Sequence, residues 1–498
     1  VTGSLVRPRP GSAVHVAAAA AYERPVMFVD GSWQDGADGA AGAASVVDPA
    51  TGEQVSSWAG ASVDQVEAAC GAAARAFPAW AGSRPELRAE VLRGAADHLE
   101  ADLDSAASTM TVEQGKTLAE ARAEFVSIVE LFRWFADRAS GPASRQEPGS
   151  VPGGRVEVQH LPVGPVAVMT PWNFPASLAA RKVAAAFAVG CTAVVKPALE
   201  TPASFLVVAR ALQAAGLPPG VLSVVNGDPA RTSSALIASQ HVRAVSFTGS
   251  TAVGRLVARA AADRLVHTTL ELGGHAPVVV TEDVDVTAVA RSIAATKFRN
   301  AGQVCIAPTR FLVAATVYDE FVDEFTRFAR GLRVAPGLLD GAQMGPMALE
   351  RRRTALLDLV DRSVLSGAEL VCGGEADGDD GWFVQPTVLT QAPAGSPVMN
   401  EEPFGPVAVI NPVRTDDEAV LEANRLSVGL AGYVFTRDAI RGRSLAARLD
   451  VGTVGINTGV VVHRDSPLGG VKDSGWGSDG GLEGMREFQH AKAVSTGA

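Results

Sequence analysis

Val166-Ala167-Val168-Met169-Thr170, Thr192-Ala193-Val194-Val195-Lys196 and Ala244-Val245-Ser246-Phe247-Thr248 are short apolar runs rich in β-branched residues. Leu222 to Asn226 is a fourth run of the same kind. Between them lie stretches of helical period, from Ala176 to Val189 and from Ala203 to Ala215. Strand-sized runs separated by helices of roughly 10–15 residues predict a parallel sheet with right-handed crossovers, an α/β fold. Such sheets bind ligands beyond the carboxyl ends of their strands. Pro171-Trp172-Asn173, Lys196-Pro197 and Gly249-Ser250 all fall at strand ends in this reading.

Working outward, residues 1 to about 24 are rich in Gly, Pro and Ala without strand or helix period, and read as a loose leader. Met27 to Trp33, with the turn Asp48-Pro49-Ala50-Thr51-Gly52, reads as a hairpin before the first helix. Ser62 is placed to cap that helix, with Val63, Val66, Cys70 and Ala73 as its apolar stripe. Further helical stretches run from about Pro85 to Ser108 and from Leu118 to Ala139. The stripe Phe125, Ile128, Leu131, Phe132 and Phe135 in the latter reads as packing. Ser150 to Leu161, alternating at Val156 and Val158, looks like an arm that leaves the domain and returns. A second α/β stretch follows from about Pro277 to Asp465.

The chain has 498 residues, too many for one core and enough for two or three domains. Lys and Arg number 43 against 54 Asp and Glu, a net charge of −11, which disfavours a nucleic-acid partner. Cysteines 70, 191, 305 and 372 form no CxxC pair and no cluster with histidine. A disulfide framework and a metal site are therefore not expected. No apolar run is long enough to span a bilayer. Arg7 and Arg9 stand in an N-terminal stretch without a signal-peptide core, so a cytoplasmic protein is expected.

Four short segments could carry chemistry. Asn300-Ala301-Gly302-Gln303-Val304-Cys305 sets a lone cysteine among small residues. A free cysteine is most often a buried core residue; a nucleophile needs a base and an accessible loop. Glu271-Leu272-Gly273-Gly274 ends an apolar run from Leu265 to Leu270, and is either a turn or a general base beside a close backbone approach. Gly249-Ser250-Thr251-Ala252-Val253-Gly254 opens a helix whose N–H groups suit a pyrophosphate, although it is not GxGxxG. Glu401-Glu402-Pro403-Phe404-Gly405-Pro406 is rigid and acidic. Separately, none of them decides anything.

In this order, and together with Thr170-Pro171-Trp172-Asn173-Phe174-Pro175, Val195-Lys196-Pro197-Ala198 and Pro467-Leu468-Gly469-Gly470-Val471-Lys472-Asp473-Ser474-Gly475, they do. From about residue 25 to its end the chain resembles the aldehyde dehydrogenase superfamily. It is most similar to the succinate-semialdehyde dehydrogenase branch, through Lys297-Phe298-Arg299-Asn300-Ala301-Gly302-Gln303 and Gly455-Ile456-Asn457-Thr458-Gly459. The resemblance implies a Rossmann-like cofactor domain over 25–149 and 165–274 and an α/β catalytic domain over 275–476. It also implies a small β oligomerisation arm and tail over 150–164 and 477–498, serving a homo-dimer or homo-tetramer.

The resemblance further implies a mechanism. Cys305 would attack the aldehyde carbon, with the Asn173 amide and the Cys305 N–H on the oxyanion. A thioester would remain after hydride transfer, and Glu271 would activate the water that hydrolyses it. The cofactor, NAD or NADP, would lie on Thr170, Pro171, Trp172, Lys196, Glu200, Arg231, Gly249, Ser250, Leu272, Gly273, Glu402 and Phe404. Of these, Glu402 would hold the nicotinamide ribose, Lys196 the adenosine ribose and Ser250 the pyrophosphate. NAD-preferring relatives commonly carry a glutamate three residues after the lysine. That position is Leu199 here and Glu200 follows, so NADP tolerance is expected, with Arg231 as a second cation. Arg181 and Arg299 stand where many relatives carry aromatic residues, which implies a carboxylate clamp and an ω-carboxylated aldehyde such as succinic semialdehyde. Val462 replaces the serine that usually completes the clamp, and Leu468 replaces a common Phe. Both leave open a less polar aliphatic or aromatic aldehyde. A CoA-acylating relative usually lacks Glu271, and a catalytically retired one would lose Cys305 or Glu271.

Overall fold

A computed structural model describes residues 13–38, 43–139, 145–148, 154–378 and 380–497. Its first sheet has eight strands in the order Ser32–Gln34, Met27–Val29, Leu222–Val224, Thr192–Lys196, Pro165–Met169, Ala244–Thr248, His267–Glu271, Gly475–Trp476. The five inner strands from Leu222–Val224 to His267–Glu271 run parallel, and the flanking pairs are antiparallel. Successive strands build outward from Pro165–Met169 on one side, then jump to Ala244–Thr248 on its other side. The crevice at such a reversal is where α/β sheets bind ligands. Thr170 and Gly249 leave the sheet there.

The parallel strands lie between helices on both faces, so every residue of Pro165–Met169, Thr192–Lys196 and Ala244–Thr248 is buried. That explains their unbroken apolar runs. Phe125, Ile128, Leu131, Phe132 and Phe135 are buried in the core beneath one face, each worth about 1.5–3 kcal/mol of transfer free energy. They pack, as expected.

A second sheet has seven strands: Glu369–Cys372, Thr387–Thr390, Val407–Val413, Pro308–Ala314, Ala276–Val280, Ala431–Phe435 and Thr453–Ile456. A third is the arm, where Arg155–Pro162 lies between Arg145–Pro148 and Gln489–Thr496 in antiparallel register.

Several expectations need correction. Part of the N-terminal stretch is ordered: Ala13–Ala21 is a helix, and Tyr22 after it donates a 2.6 Å hydrogen bond to buried Glu113. The first hairpin is two hairpins, Met27–Val29 with Ser32–Gln34 and Ala43–Val47 with Gln54–Ala59. The helix from Pro85 divides at Asp102 into Pro85–Ala101 and Leu103–Gln114, where Asp102 leaves helical geometry at φ −121°. Ser62 caps Val63–Ala81 in a reciprocal box with Gln65, but Val63 lies outside the stripe and is 49% exposed. The arm sheet takes in Arg145–Pro148, ahead of the expected start at 150, and its C-terminal strand begins at Gln489 rather than 477. Residues 150–153 of the expected arm lie outside the described residues. Gly475–Trp476, expected in the catalytic domain, closes the edge of the first sheet against Leu270 and Glu271.

Candidate active site

The carboxyl ends of the first sheet face the loops of the second. After Pro165–Met169 the chain turns through Trp172, whose ring meets Phe404 edge-on at 5.5 Å between centroids. Asn173 follows, buried, with Nδ2 donating to the Gln303 carbonyl at 3.0 Å and Oδ1 unpartnered. The strand Thr192–Lys196 ends in Lys196, whose ammonium donates to the Pro197 carbonyl at 3.4 Å. Burial pulls this ammonium down to about 8, against the opposing pull of Glu200 and Asp228. After Ala244–Thr248, Ser250 caps the helix Thr251–Ala262 by accepting from the Val253 N–H.

Glycine is dictated by contact at two of these turns. A Cβ on Gly273 would sit 2.6 Å from Glu402 Oε2, and one on Gly302 would sit 2.1 Å from the Gly405 carbonyl oxygen. The cysteine loop therefore meets the Glu402–Pro406 turn backbone to backbone at Gly302, while the Gly273 backbone meets the Glu402 carboxylate.

Cys305 follows a tight turn, Arg299–Gly302, in which Asn300 and Ala301 both take φ of 51°. Left-handed backbone at two consecutive non-glycine residues is costly and persists only when the surroundings hold it. Asn300 N donates to Glu120 at 2.7 Å, and Asn300 Oδ1 accepts from Gln114 at 3.0 Å. Burial pushes the Cys305 thiol up to about 12; Glu402 and Glu271 act in the same direction, and the N–H groups of Cys305 and Ile306 act against it. Glu271 is 3% exposed and both its oxygens lack a partner among the described residues. Burial raises its pKa well above the carboxylate range, Asp479 adds to this, and Lys182 and Arg181 oppose it. Burial likewise raises Glu402, to about 8. Burial thus raises all three groups, and the two carboxyls add to the rise at Cys305.

A cavity of about 260 Å³ opens onto Cys305. Arg181, Arg299, Val462 and Leu468 all line it, with Phe174 and Leu131, so the four residues expected at the substrate meet on one wall system. Arg299 lies 5.5 Å from the Phe174 ring centroid, and Arg181 donates to the His463 carbonyl at 3.2 Å. Arg181 and Val462 also line an adjoining chamber of about 320 Å³ with His463, Arg464 and Glu130.

Two of the expected cofactor residues carry ion-pair partners. Arg231 is ion-paired with Asp38, and Glu200 is held by Arg351 at 2.5 Å. Both are neutralised by partners that the local sequence does not reveal. Sequence reading also missed two buried ion pairs, Lys182 with Asp479 at 2.5 Å and Lys116 with Glu124 at 2.6 Å. The available signal for Lys182 was a lysine inside a largely apolar helical stretch, which is seldom buried without a partner, whereas Lys116 lies between helices and carried no such signal.

The turns at Gly249 and Gly273, the capped helix at Ser250, buried Lys196 and Glu402 against Gly273 fit an extended anionic ligand such as a dinucleotide. No group of three or more metal-ligating side chains occurs among the described residues, and no described helix is long and apolar enough to cross a membrane.

Comparison with known proteins agrees with this geometry. Residues 33–494 match the aldehyde dehydrogenase family. A 4-(hydroxymethyl)benzenesulfonate dehydrogenase of Comamonas testosteroni is 43% identical over 95% of this chain and 98% of its own. The NADP(+) succinate-semialdehyde dehydrogenase of Escherichia coli K12 is 36% identical over 95% of this chain and 98% of its own. The crystal structure of succinate-semialdehyde dehydrogenase from Burkholderia pseudomallei superposes with a TM-score of 0.93 at 37% identity, covering 99% of this chain and 100% of that one. The chain belongs to the aldehyde dehydrogenase family and is an oxidoreductase acting on aldehydes.

Proposed function

We propose that the protein oxidises an aldehyde bearing a terminal anionic group to the corresponding acid, with NAD(P) as hydride acceptor. The observation that carries this reading is the cavity itself, in which Cys305 shares a wall system with two arginines, Arg181 and Arg299. Two guanidinium groups suit a planar anion better than they suit a neutral chain, and the two carboxylates that also line the cavity, Glu120 and Glu124, are engaged by the Asn300 N–H and by Lys116.

Cys305 Sγ, as the thiolate after losing its proton to solvent, attacks the carbonyl carbon, and the carbonyl π pair moves to oxygen as the C–S bond forms. The Asn173 amide and the Cys305 N–H bind the developing oxyanion. NAD(P), when bound, would supply the acceptor for the hydride of the reacting carbon. Glu271, buried without a partner, then takes a proton from water, and the resulting hydroxide displaces the sulfur of the thioester. Glu402, packed against Gly273, and Lys196 orient the cofactor's two riboses. Glu271 favours release to water over release to coenzyme A. The exposed edges of the three-stranded arm support a homo-dimer or homo-tetramer.

Succinic semialdehyde is the first reading of the substrate. A second, an anionic aromatic aldehyde, draws support from the 43% identical 4-(hydroxymethyl)benzenesulfonate dehydrogenase and from Val462 and Leu468, which put no aromatic ring at their two places on the wall. Kinetics with succinic semialdehyde, butanal, benzaldehyde and 4-sulfobenzaldehyde, repeated with Arg299→Ala, test both. The anionic aldehydes are expected to exceed their neutral counterparts by at least ~10-fold in kcat/KM, an advantage that Arg299→Ala erases. Equal kcat/KM for acidic and neutral aldehydes removes the clamp. A uniform effect of Arg299→Ala across the panel does the same.

A further inference from the structure

Lys116 is 2% exposed, and its ammonium bridges two segments of the site. Nζ donates to Glu124 Oε2 at 2.6 Å and to the Asn173 carbonyl at 3.0 Å, and it lies 4.2 Å from the centroid of the Phe174 ring. The other oxygen of Glu124 accepts the N–H groups of Ala176 and Ser177 at 3.2 and 2.9 Å, where the helix Ser177–Val189 begins. One ion pair therefore grips the loop 173–177 at both ends. The same Asn173 carbonyl accepts a second bond, from Asn300 Nδ2 at 2.9 Å. Through Asn300 the loop is joined to the left-handed turn that leads into Cys305.

We propose that Lys116 is a positioning residue, which fixes the Asn173 backbone so that its side-chain amide is aimed at the oxyanion. The inference rests on the oxyanion role proposed above for Asn173. A buried ion pair gains little stability over an apolar pair of similar volume, because desolvation cancels much of the attraction. What an apolar pair cannot supply is a directed donor to the Asn173 carbonyl together with acceptors for two helix N–H groups. Misplacing a reacting constellation by about 1 Å can cost ~10²-fold in rate, so such a tether bears on catalysis more than on folding.

A double-mutant cycle separates the two roles. Removing Lys116 alone would strand a buried carboxylate, so the paired variant Lys116→Met with Glu124→Gln removes both charges and leaves an amide oxygen for Ala176 and Ser177. The burst of reduced cofactor in the first turnover is measured for this variant with Asn173 intact and with Asn173→Ala, beside the cofactor KM and the thermal midpoint. Lys116→Arg, which keeps the buried charge while moving its head group, is carried through the same cycle. With Asn173 intact the paired variant is expected to slow the burst about 10–100-fold at unchanged cofactor KM. In the Asn173→Ala background the further loss should be under about 3-fold, since the amide it aims is gone. Lys116→Arg should show the same dependence on background at smaller size. Equal slowing in both backgrounds, or none in either, overturns the inference while leaving the oxyanion assignment standing. A normal burst from Asn173→Ala alone overturns the oxyanion assignment, and the inference with it.

Discussion

The cofactor side and the substrate side of the active site are built from different materials. At the carboxyl ends of the first sheet the cradle is largely backbone: the turns at Gly249 and Gly273, the helix start at Ser250 and one buried lysine. Across the cysteine loop, the cavity wall is made of side chains from separate segments, with Leu131, Arg181, Arg299, Val462 and Leu468 contributing one each. A backbone cradle accepts a constant ligand, and its residues lie together in the chain as short motifs. A side-chain wall can be retuned one residue at a time.

If the two sides are separable, the nucleophile can be removed without disturbing the cradle. Cys305→Ala is expected to lower aldehyde oxidation by more than ~10³-fold while cofactor affinity, followed by protein fluorescence quenching, stays within about twofold of wild type. Lost cofactor binding would break the comparison, because the two sides would then be one structural unit.

The contrast also governs what the sequence reveals. The strands Thr192–Lys196 and Ala244–Thr248 have the bounds expected from their apolar runs, since burial on both faces leaves no ambiguity of period. Cys305, Glu271 and Glu402 stood out for a related reason, each lying in a compact motif beside glycine. The break at Asp102 was hidden because the apolar pattern continues from one helix into the next, with Leu99 and Ala106 both buried. Ala13–Ala21 was hidden for the opposite reason: an alanine-rich helix has almost no polar face to set a period. The buried lysines were illegible as functional residues because Lys182 finds its partner at Asp479 and Lys116 finds Asn173, far along the chain. The ion pairs of Arg231 with Asp38 and of Glu200 with Arg351 were hidden in the same way.

Glu271 stands between the two sides, and its environment sets the pH response. A base must be ionised to accept a proton, and burial with Asp479 nearby holds this carboxyl neutral well above the usual range. The Cys305 thiol, pushed up to about 12, must also lose a proton to react. Both requirements have the same sign, so turnover is expected to climb steadily with pH between about 6 and 9, without an acid-side plateau. Glu271→Gln should keep the first-turnover burst of reduced cofactor and lower steady-state turnover by ~10²-fold or more. A variant that loses the burst in the same proportion would place Glu271 in acylation and undo the division of labour between it and Cys305.

The smallest effect expected is at the far end of the cradle, in the choice between NAD and NADP. Leu199 occupies the position three residues after Lys196 and packs beside the small cluster that contains Tyr22 and Trp58, so no carboxylate stands there to repel a 2′-phosphate. Glu200 is engaged by Arg351, and Arg231, the expected second cation, is engaged by Asp38. That leaves Lys196, lowered to about 8 by burial, as the one charge near the ribose drawn from the expected set. A phosphate carries about −1.5 to −2 charges at pH 7, but a single partly neutralised cation at a solvent-accessible group is worth only ~1 kcal/mol. The kcat/KM values for the two cofactors should therefore lie within about tenfold of each other, since tenfold corresponds to ~1.4 kcal/mol. Leu199→Glu should move the ratio toward NAD by about tenfold or more, through repulsion of the phosphate by a carboxylate placed beside it. Arg231→Ala should leave the ratio unchanged, because its guanidinium is already spoken for. A wild-type preference for NAD beyond ~100-fold would mean that Glu200 leaves Arg351 for the ribose when the cofactor binds, and the cradle would then owe its selectivity to a side chain after all.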